Sequence, residues 1–126
     1  MHQVSIGLTL LLALAIIAIG TQYLASPNSA TRTFGLPLPE DGHNISSWLR
    51  LKGVRDIASG FTLLAGLTWG GSRVAGIVLL AEVTIPIGDM LVVLAGKGSA
   101  KSAFGIHGVT ALVMLLTGIS LLAAAS

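Results

Sequence analysis

Four apolar runs, each long enough to cross a lipid bilayer, constrain this chain more than any other feature of its sequence. A hydrocarbon core of ~30 Å needs about 20 mostly apolar residues in a helix. Because backbone groups in lipid must find their hydrogen bonds inside the segment, each run is predicted to be a transmembrane helix. The runs are Val4–Ala25, Ser47–Trp69, Ser72–Ala95 and Ser102–Ala124. We therefore expect one domain, residues 1–126, of the all-α class: a polytopic membrane protein with a four-transmembrane-helix antiparallel bundle and one long first loop.

The composition supports this interpretation and excludes several functional classes. Hydrophobic residues make up 53% of the chain and charged residues 10%, which is far from the average of soluble proteins. The net charge of +2 comes without a basic tract, so we expect no nucleic-acid partner. The absence of cysteine excludes disulfides and thiol redox chemistry. No Lys or Arg precedes the first run, so we expect a retained helix in a multi-pass protein of a cell membrane, the bacterial inner membrane.

The connections between the runs differ in length and character. "GGS" at 70–72 and "GKGS" at 96–99 are short turn signals, whereas the first connection, residues 26–46, is long. Its centre, "FGLPLP", is apolar and rich in proline, which is incompatible with a regular helix. Two placements stay open for it: a lid over the mouth of the bundle, or a loop along the headgroups. Trp48 and Trp69, about 31 Å apart along one helix, are expected at the two membrane interfaces.

Basic residues are distributed unevenly over the predicted loops. The second loop carries only Arg73, so the basic excess flanks the first and third loops and predicts that both termini lie outside the cytoplasm. The residues that flank the first and third loops are Arg32, Arg50, Lys97 and Lys101.

The predicted third helix contains two carboxylates and a proline. Glu82 and Asp89 are seven residues apart, almost two turns, so both project from nearly the same face with about 10 Å between them. Pro86 cannot donate a hydrogen bond to the carbonyl of Glu82. A bend and a free acceptor are therefore predicted on the interior side of this helix, because lipid cannot satisfy them.

Intramembrane charges are expected to be paired, because an unpaired one costs at least ~2.5 kcal/mol on insertion scales. Lys52 and Asp56 are one helical turn apart and are predicted to pair within their helix. Arg55 points about 100° from Asp56, and we expect it to reach Asp89 or Glu82 across a helix interface. A purely structural network of such pairs stays open as an alternative.

His107 of the predicted fourth helix and the pair Gln22 and Tyr23 of the first lie at the same membrane level as these charges. The four helices are thus predicted to form one polar pocket in the half of the bilayer next to the first and third loops. We expect no metal ion in it, because one deep histidine and carboxylates paired with basic groups are poor ligands for a transition metal.

Four stretches of the sequence resemble a known family. "TFGLPLP", "LKGVRDIASG", "IPIGDMLVV" and "HGVTALVM" are similar to segments of small bacterial and fungal four-helix membrane proteins classed as a domain of unknown function, and more distantly to DoxX-like proteins. The resemblance covers nearly the whole chain and implies a fold and a site, but no reaction. The polar signature it implies is Arg55, Asp56, Asp89 and His107, with Lys52 beside them.

The predicted pocket favours an enzyme that acts on a lipophilic small molecule by cofactor-free acid/base chemistry, such as isomerisation, cyclisation or epoxide opening. Two alternatives stay open: a proton-linked transporter or lipid binder, which at this size would have to be a homo-oligomer, and a structural membrane assembly protein. In the enzyme, Arg55 would anchor an oxyanion or carboxylate. The proposed catalytic residues are Asp89, His107, Glu82 and Asp56, and the proposed substrate-binding residues are Arg55, Lys52, Gln22 and Tyr23.

Overall fold

The computed structural model describes residues 2–38, 42 and 44–125, and within them all regular structure is helical, as predicted. A 3₁₀ turn, Thr31–Thr33, follows the second helix, and a π-helical turn, Ala103–Gly108, precedes the last one. The α-helices are α1 (His2–Ala25), α2 (Pro27–Ala30), α3 (Ile45–Glu82), α4 (Thr84–Ala95), α5 (Ala100–Ser102) and α6 (Val109–Ala124).

The α3 helix reverses its direction at Gly71. This residue has φ 67° and ψ −169°, a left-handed conformation that favours glycine. A Cβ atom built on Gly66 would lie 3.4 Å from Cγ2 of Val78, whereas residues twelve positions apart in a straight helix are separated by about 18 Å. Segments 45–70 and 72–82 are therefore antiparallel, with the turn at the predicted position.

Among the described residues, three helical stretches are long and apolar enough to cross a membrane: His2–Ala25, Ile45–Ala95 and Ala100–Ala124. The middle stretch has 51 residues and contains the reversal at Gly71. Trp48 and Trp69 are 70% and 87% exposed, so neither packs in the core and both can lie at lipid headgroups.

Small residues close the bundle at the end where both chain termini lie, which we call the closed end. The Ser5 and Ser120 hydroxyl oxygens are 2.7 Å apart and join α1 to α6. Gly76 packs against the end of α6, because a Cβ atom on it would lie 3.0 Å from the carbonyl oxygen of Gly118. Such residues let helix backbones approach closely. Leu121 is completely buried here, so this end is a packed core.

At the opposite end the bundle separates into two helix pairs with a cleft between them. In the first pair, α1 contacts segment 45–70 so closely that a Cβ atom on Gly53 would lie 2.6 Å from the Gly20 carbonyl oxygen. In the second pair, α4 packs on the π-helical turn and α6. Within the described residues, no comparable packing joins α1 to α4 or to the π-helical turn. The α3 helix ends at Glu82 and α4 begins at Thr84, so the boundary at Val83 lies three residues before Pro86.

Residues 26–38 of the long first connection cross the mouth of this cleft; we call them the covering segment. The amide of Ser99 donates a 2.7 Å hydrogen bond to the carbonyl oxygen of Gly35. Gly35 has φ 96°, which only glycine adopts readily. Leu36 lies beside Gly96, the residue that ends α4. Positions 39–41 and 43 of the long connection lie outside the described residues, so the predicted lid over residues 26–46 stays a prediction.

Candidate functional site

A cavity of about 230 Å³ occupies the cleft beneath the covering segment. Apolar side chains nearer the closed end, such as Leu12, Leu63 and Met114, form its deep part. Every predicted site residue except Arg55 lines it. These residues are Gln22, Tyr23, Lys52, Asp56, Glu82, Asp89 and His107. The cavity is therefore apolar at one end and polar at the other.

Lys52 and Asp56 form the predicted ion pair within α3. The Lys52 Nζ atom lies 2.8 Å from Oδ2 of Asp56, whose exposed fraction is 6%. The same Nζ lies 4.9 Å from the ring centroid of Tyr23 and 5.4 Å from that of Phe34, within range of a cation–π interaction. The charge of Lys52 is therefore compensated from three directions, and this side chain is not a free anchor for an anion.

The covering segment fixes the orientation and the tautomer of His107. The Nε2 atom lies 2.9 Å from the backbone carbonyl oxygen of Phe34. A carbonyl oxygen only accepts hydrogen bonds, so Nε2 must carry the proton and donate it. The two aromatic rings also stack edge to face, with centroids 4.7 Å apart. In the neutral ring, Nδ1 is consequently the unprotonated nitrogen.

The Nδ1 atom of His107 lies near Asp89, and both side chains line the cavity. Oδ2 of Asp89 lies 3.9 Å away, which is too long for a hydrogen bond. Each group therefore has unused hydrogen-bonding capacity directed into the cavity. The Nδ1 atom of His107, as a proton acceptor, and the carboxyl group of Asp89 together form a candidate acid/base pair.

Glu82 is the second carboxylate of the cavity and lies nearer the closed end than Asp89. Ser59 of α3 lines the same cavity as the Glu82 side chain. In the part of the chain that the structure describes, no basic side chain forms an ion pair with Glu82. Pro86, one turn further along, is buried and also lines the cavity, so this proline faces the interior.

Arg55 does not lie in the cavity, so its predicted contact with Asp89 or Glu82 is wrong. Its side chain is exposed on the outside of the bundle. Arg55 and Gly66 are eleven residues apart, about three turns, and so share one face of α3. Next to Gly66 this face packs on the returning segment. Beside Arg55 it stays uncovered, because α4 packs against the π-helical turn and α6 instead.

Sequence reasoning missed two residues that shape this site. Phe34 supplies both the carbonyl oxygen and the ring that hold His107, and its signal was its place as the single aromatic residue of the long connection. Ser59 follows Asp56 by three positions and so lies on the same face of α3. A search for hydroxyl groups on the Asp56 face would have found it.

The described residues offer little to bind a metal ion or a nucleotide cofactor. No group of three or more His, Cys, Asp or Glu side chains among them is arranged to hold a metal ion. Among the described residues, Lys52 is the one lysine or arginine that lines the cavity, and it is already paired with Asp56 instead of being free for a phosphate group. The arrangement is suited to proton transfer on an uncharged molecule.

Comparison with known proteins gives one match. A family model described as a domain of unknown function, DUF4267, matches residues 13–121, which include every predicted site residue. Neither curated proteins nor solved structures give a match to this chain. The chain therefore belongs to the DUF4267 family, and the prediction of a family of unknown function is confirmed.

Proposed function

We propose that this member of the DUF4267 family is a membrane-embedded enzyme that converts a lipophilic small molecule by acid/base chemistry between Asp89 and His107. The observation that carries the proposal is the hydrogen bond from His107 to the Phe34 carbonyl oxygen. It leaves an unprotonated Nδ1 that faces a carboxyl group across 3.9 Å, at the polar end of a cavity with an apolar interior.

The proposal includes four membrane crossings in a bacterial inner membrane. The 51-residue stretch Ile45–Ala95 reverses at Gly71. Segments 45–70 and 72–95 would each extend over more than ~30 Å, the thickness of a hydrocarbon core. The acid/base pair then lies within the bilayer, close to the level at which the covering segment crosses the bundle.

The chemistry follows from the protonation states that the two groups can adopt. His107 Nδ1 can remove a proton from a carbon next to a carbonyl group, while a protonated Asp89 delivers a proton to an oxygen or another carbon. Each positioned acid or base contributes about 10²- to 10⁴-fold to the rate. One proton leaves and one returns, so isomerisation or ring closure keeps the substrate's composition and needs no cofactor. Tyr23 and Gln22 supply donors for the substrate oxygen, and Glu82 is a second carboxylate.

Deuterium incorporation tests this proposal without knowledge of the product. The protein is reconstituted in lipid nanodiscs in D₂O with a panel of eight- to ten-carbon enones and epoxides, and mass spectrometry follows deuterium uptake and isomer formation. Asp89→Asn and His107→Gln should each lower the rate by about 100-fold or more. Arg55→Gln is the matched control and should keep the wild-type rate, because this side chain lies outside the cavity.

Two results would contradict the proposal. If the wild-type protein binds panel members in equilibrium dialysis but exchanges no proton, the cavity serves transport or lipid binding. If Asp89→Asn lowers the unfolding temperature and thereby removes all binding, the charges hold the helices together, as expected for a structural protein. An enzyme requires a folded Asp89→Asn variant that binds but does not turn over.

A further inference from the structure

We infer that the substrate enters the cavity sideways from the lipid bilayer, between α1 and the π-helical turn, and that it is an uncharged hydrocarbon with an oxygen function. The identification of this molecule as a substrate rests on the proposed function. The route itself rests on the geometry of the cleft. Both concern the same cavity, so each has its own measurement: photolabelling tests the route, and deuterium exchange tests the reaction.

The aqueous mouth of the cavity is covered. Ala30, Thr33 and Phe34 of the covering segment line the cavity from above. This segment is attached to the second helix pair at two points, by the bond from Ser99 to Gly35 and by the bond from His107 to Phe34. These two bonds hold the covering segment over the cavity, so entry from water is hindered there.

The side of the cleft between α1 and the π-helical turn is open. Ile19 of α1 and Ile106 of the π-helical turn both line the cavity, yet they are 44% and 43% exposed. Ala15 and Gln22, one turn to either side of Ile19, also line the cavity and are exposed. The two elements make no extensive contact within the described residues. An apolar opening thus connects the cavity with the space that acyl chains occupy.

On the opposite side, between α3 and α4, Ile85 of α4 also lines the cavity and is 43% exposed, so this side differs from the first one mainly on its α3 flank. The cavity-lining residues of α3 are all buried or half-buried: Lys52, Asp56, Ser59 and Leu63. Arg55 lies next to these residues on the outside of α3, and its exposed charge would make it unfavourable for an apolar molecule to pass between α3 and α4. The α1 side is therefore the route for a molecule dissolved in lipid.

The size and charge of the cavity define the class of molecule. A cavity of ~150 Å³ accommodates benzene, so a cavity of about 230 Å³ holds roughly nine carbons by simple proportion. Three carboxyl groups line it, from Asp56, Glu82 and Asp89, and the single lysine is already paired. An anionic headgroup would be repelled. A ketone, epoxide or alcohol fits, and any longer chain can stay in the bilayer through the side opening.

Photolabelling from the bilayer tests the route. A ten-carbon ketone that carries a diazirine is dissolved in liposomes containing the protein, and labelled cavity residues are counted by mass spectrometry after short exposures. The variant Ile19→Trp/Ile106→Trp fills the opening. Its matched control, Leu116→Trp/Ile119→Trp, places two tryptophans on lipid-exposed positions outside the cavity. A third variant, Leu36→Cys/Gly96→Cys, ties the covering segment down by a disulfide, since these residues are in contact and the native chain has no cysteine.

We expect the Ile19→Trp/Ile106→Trp variant, whose opening is filled, to be labelled about tenfold or more slowly than the wild-type protein. The tryptophan control and the oxidised Leu36→Cys/Gly96→Cys variant should be labelled at the wild-type rate. Labelling at the wild-type rate in the filled variant, or its loss in the oxidised lock, would overturn the route. If the unfolding temperature of the Ile19→Trp/Ile106→Trp variant is lower than that of its control, the single variant Ile106→Trp is used instead. Normal labelling together with a complete lack of deuterium exchange would reject the proposed reaction but keep the route.

Discussion

Removal of the lysine from the Lys52–Asp56 pair should cost more stability than removal of the aspartate charge. Lys52→Met keeps most of the side-chain volume and leaves the Asp56 carboxylate, 6% exposed, without a cation. Asp56→Asn keeps the shape of the acceptor and leaves the ammonium group of Lys52 close to two aromatic rings, at 4.9 Å and 5.4 Å. The two halves of the pair are therefore not equivalent.

The magnitudes follow from these surroundings. Breaking a buried ion pair from one side costs about 3–5 kcal/mol, and we expect the lower end, ~3 kcal/mol, for Lys52→Met because the lysine side chain is 28% exposed. Cation–π contacts retain ~0.5–2 kcal/mol in Asp56→Asn, so its cost should be about 1–2 kcal/mol. The double variant buries no unpaired charge and should resemble Asp56→Asn. The coupling energy between the two positions then equals the cost of Lys52→Met, about 3 kcal/mol.

Equilibrium unfolding in mixed micelles, with increasing SDS and helical circular dichroism as the signal, measures all four proteins of this cycle. An equal loss of stability in the two single variants would show that the aromatic rings do not hold Lys52. A double variant whose loss equals the sum of the single losses would show that the pair makes no coupled contribution, and the reasoning would be refuted.

Two further predictions concern packing and orientation. Gly53→Ala places a Cβ atom 2.6 Å from the Gly20 carbonyl oxygen and should destabilise by about 1–3 kcal/mol in the same unfolding assay, whereas Gly88→Ala, with nothing within 4 Å, should be neutral or slightly stabilising; a neutral Gly53→Ala would disprove the close contact. An impermeant maleimide added to intact cells should label Ser72→Cys and spare Ser29→Cys, because the basic residues predict the first and third loops to be cytoplasmic, and the reverse pattern would refute that orientation.

Local rules predicted those parts of the structure that depend on neighbours in sequence. The glycine pair before Ser72 marked the reversal, because a left-handed residue ends a helix within a few positions. The spacing of Lys52 and Asp56 marked their ion pair, because residues four apart in a helix must be neighbours. The number of residues from the end of each predicted helix placed His107 and Asp89 at the same level in the membrane.

Features that depend on how whole helices lean could not be predicted in this way. The position of Arg55 was predicted wrongly because its face of α3 is covered only if α4 packs beside it, and α4 packs on the π-helical turn and α6 instead. His107 donates its hydrogen bond to the backbone carbonyl oxygen of Phe34, 73 residues away in the sequence. Every residue has such a carbonyl group, so neither composition nor periodicity indicates which one accepts the bond. The orientation of a long connection is likewise decided by tertiary contacts alone.

The sharp reversal at Gly71 bears on how the chain enters the membrane during its synthesis. A single residue departs from helical geometry, so the turn between the two segments exposes little polar backbone and carries one ionisable side chain, Arg73. Transfer of this turn across the bilayer costs about 2.5–3.5 kcal/mol for that charge, which the apolar residues of both segments offset. In the proposed arrangement with four crossings, we therefore expect residues 45–95 to insert together as one helical hairpin, in which Lys52 and Asp56 can pair within a single helix.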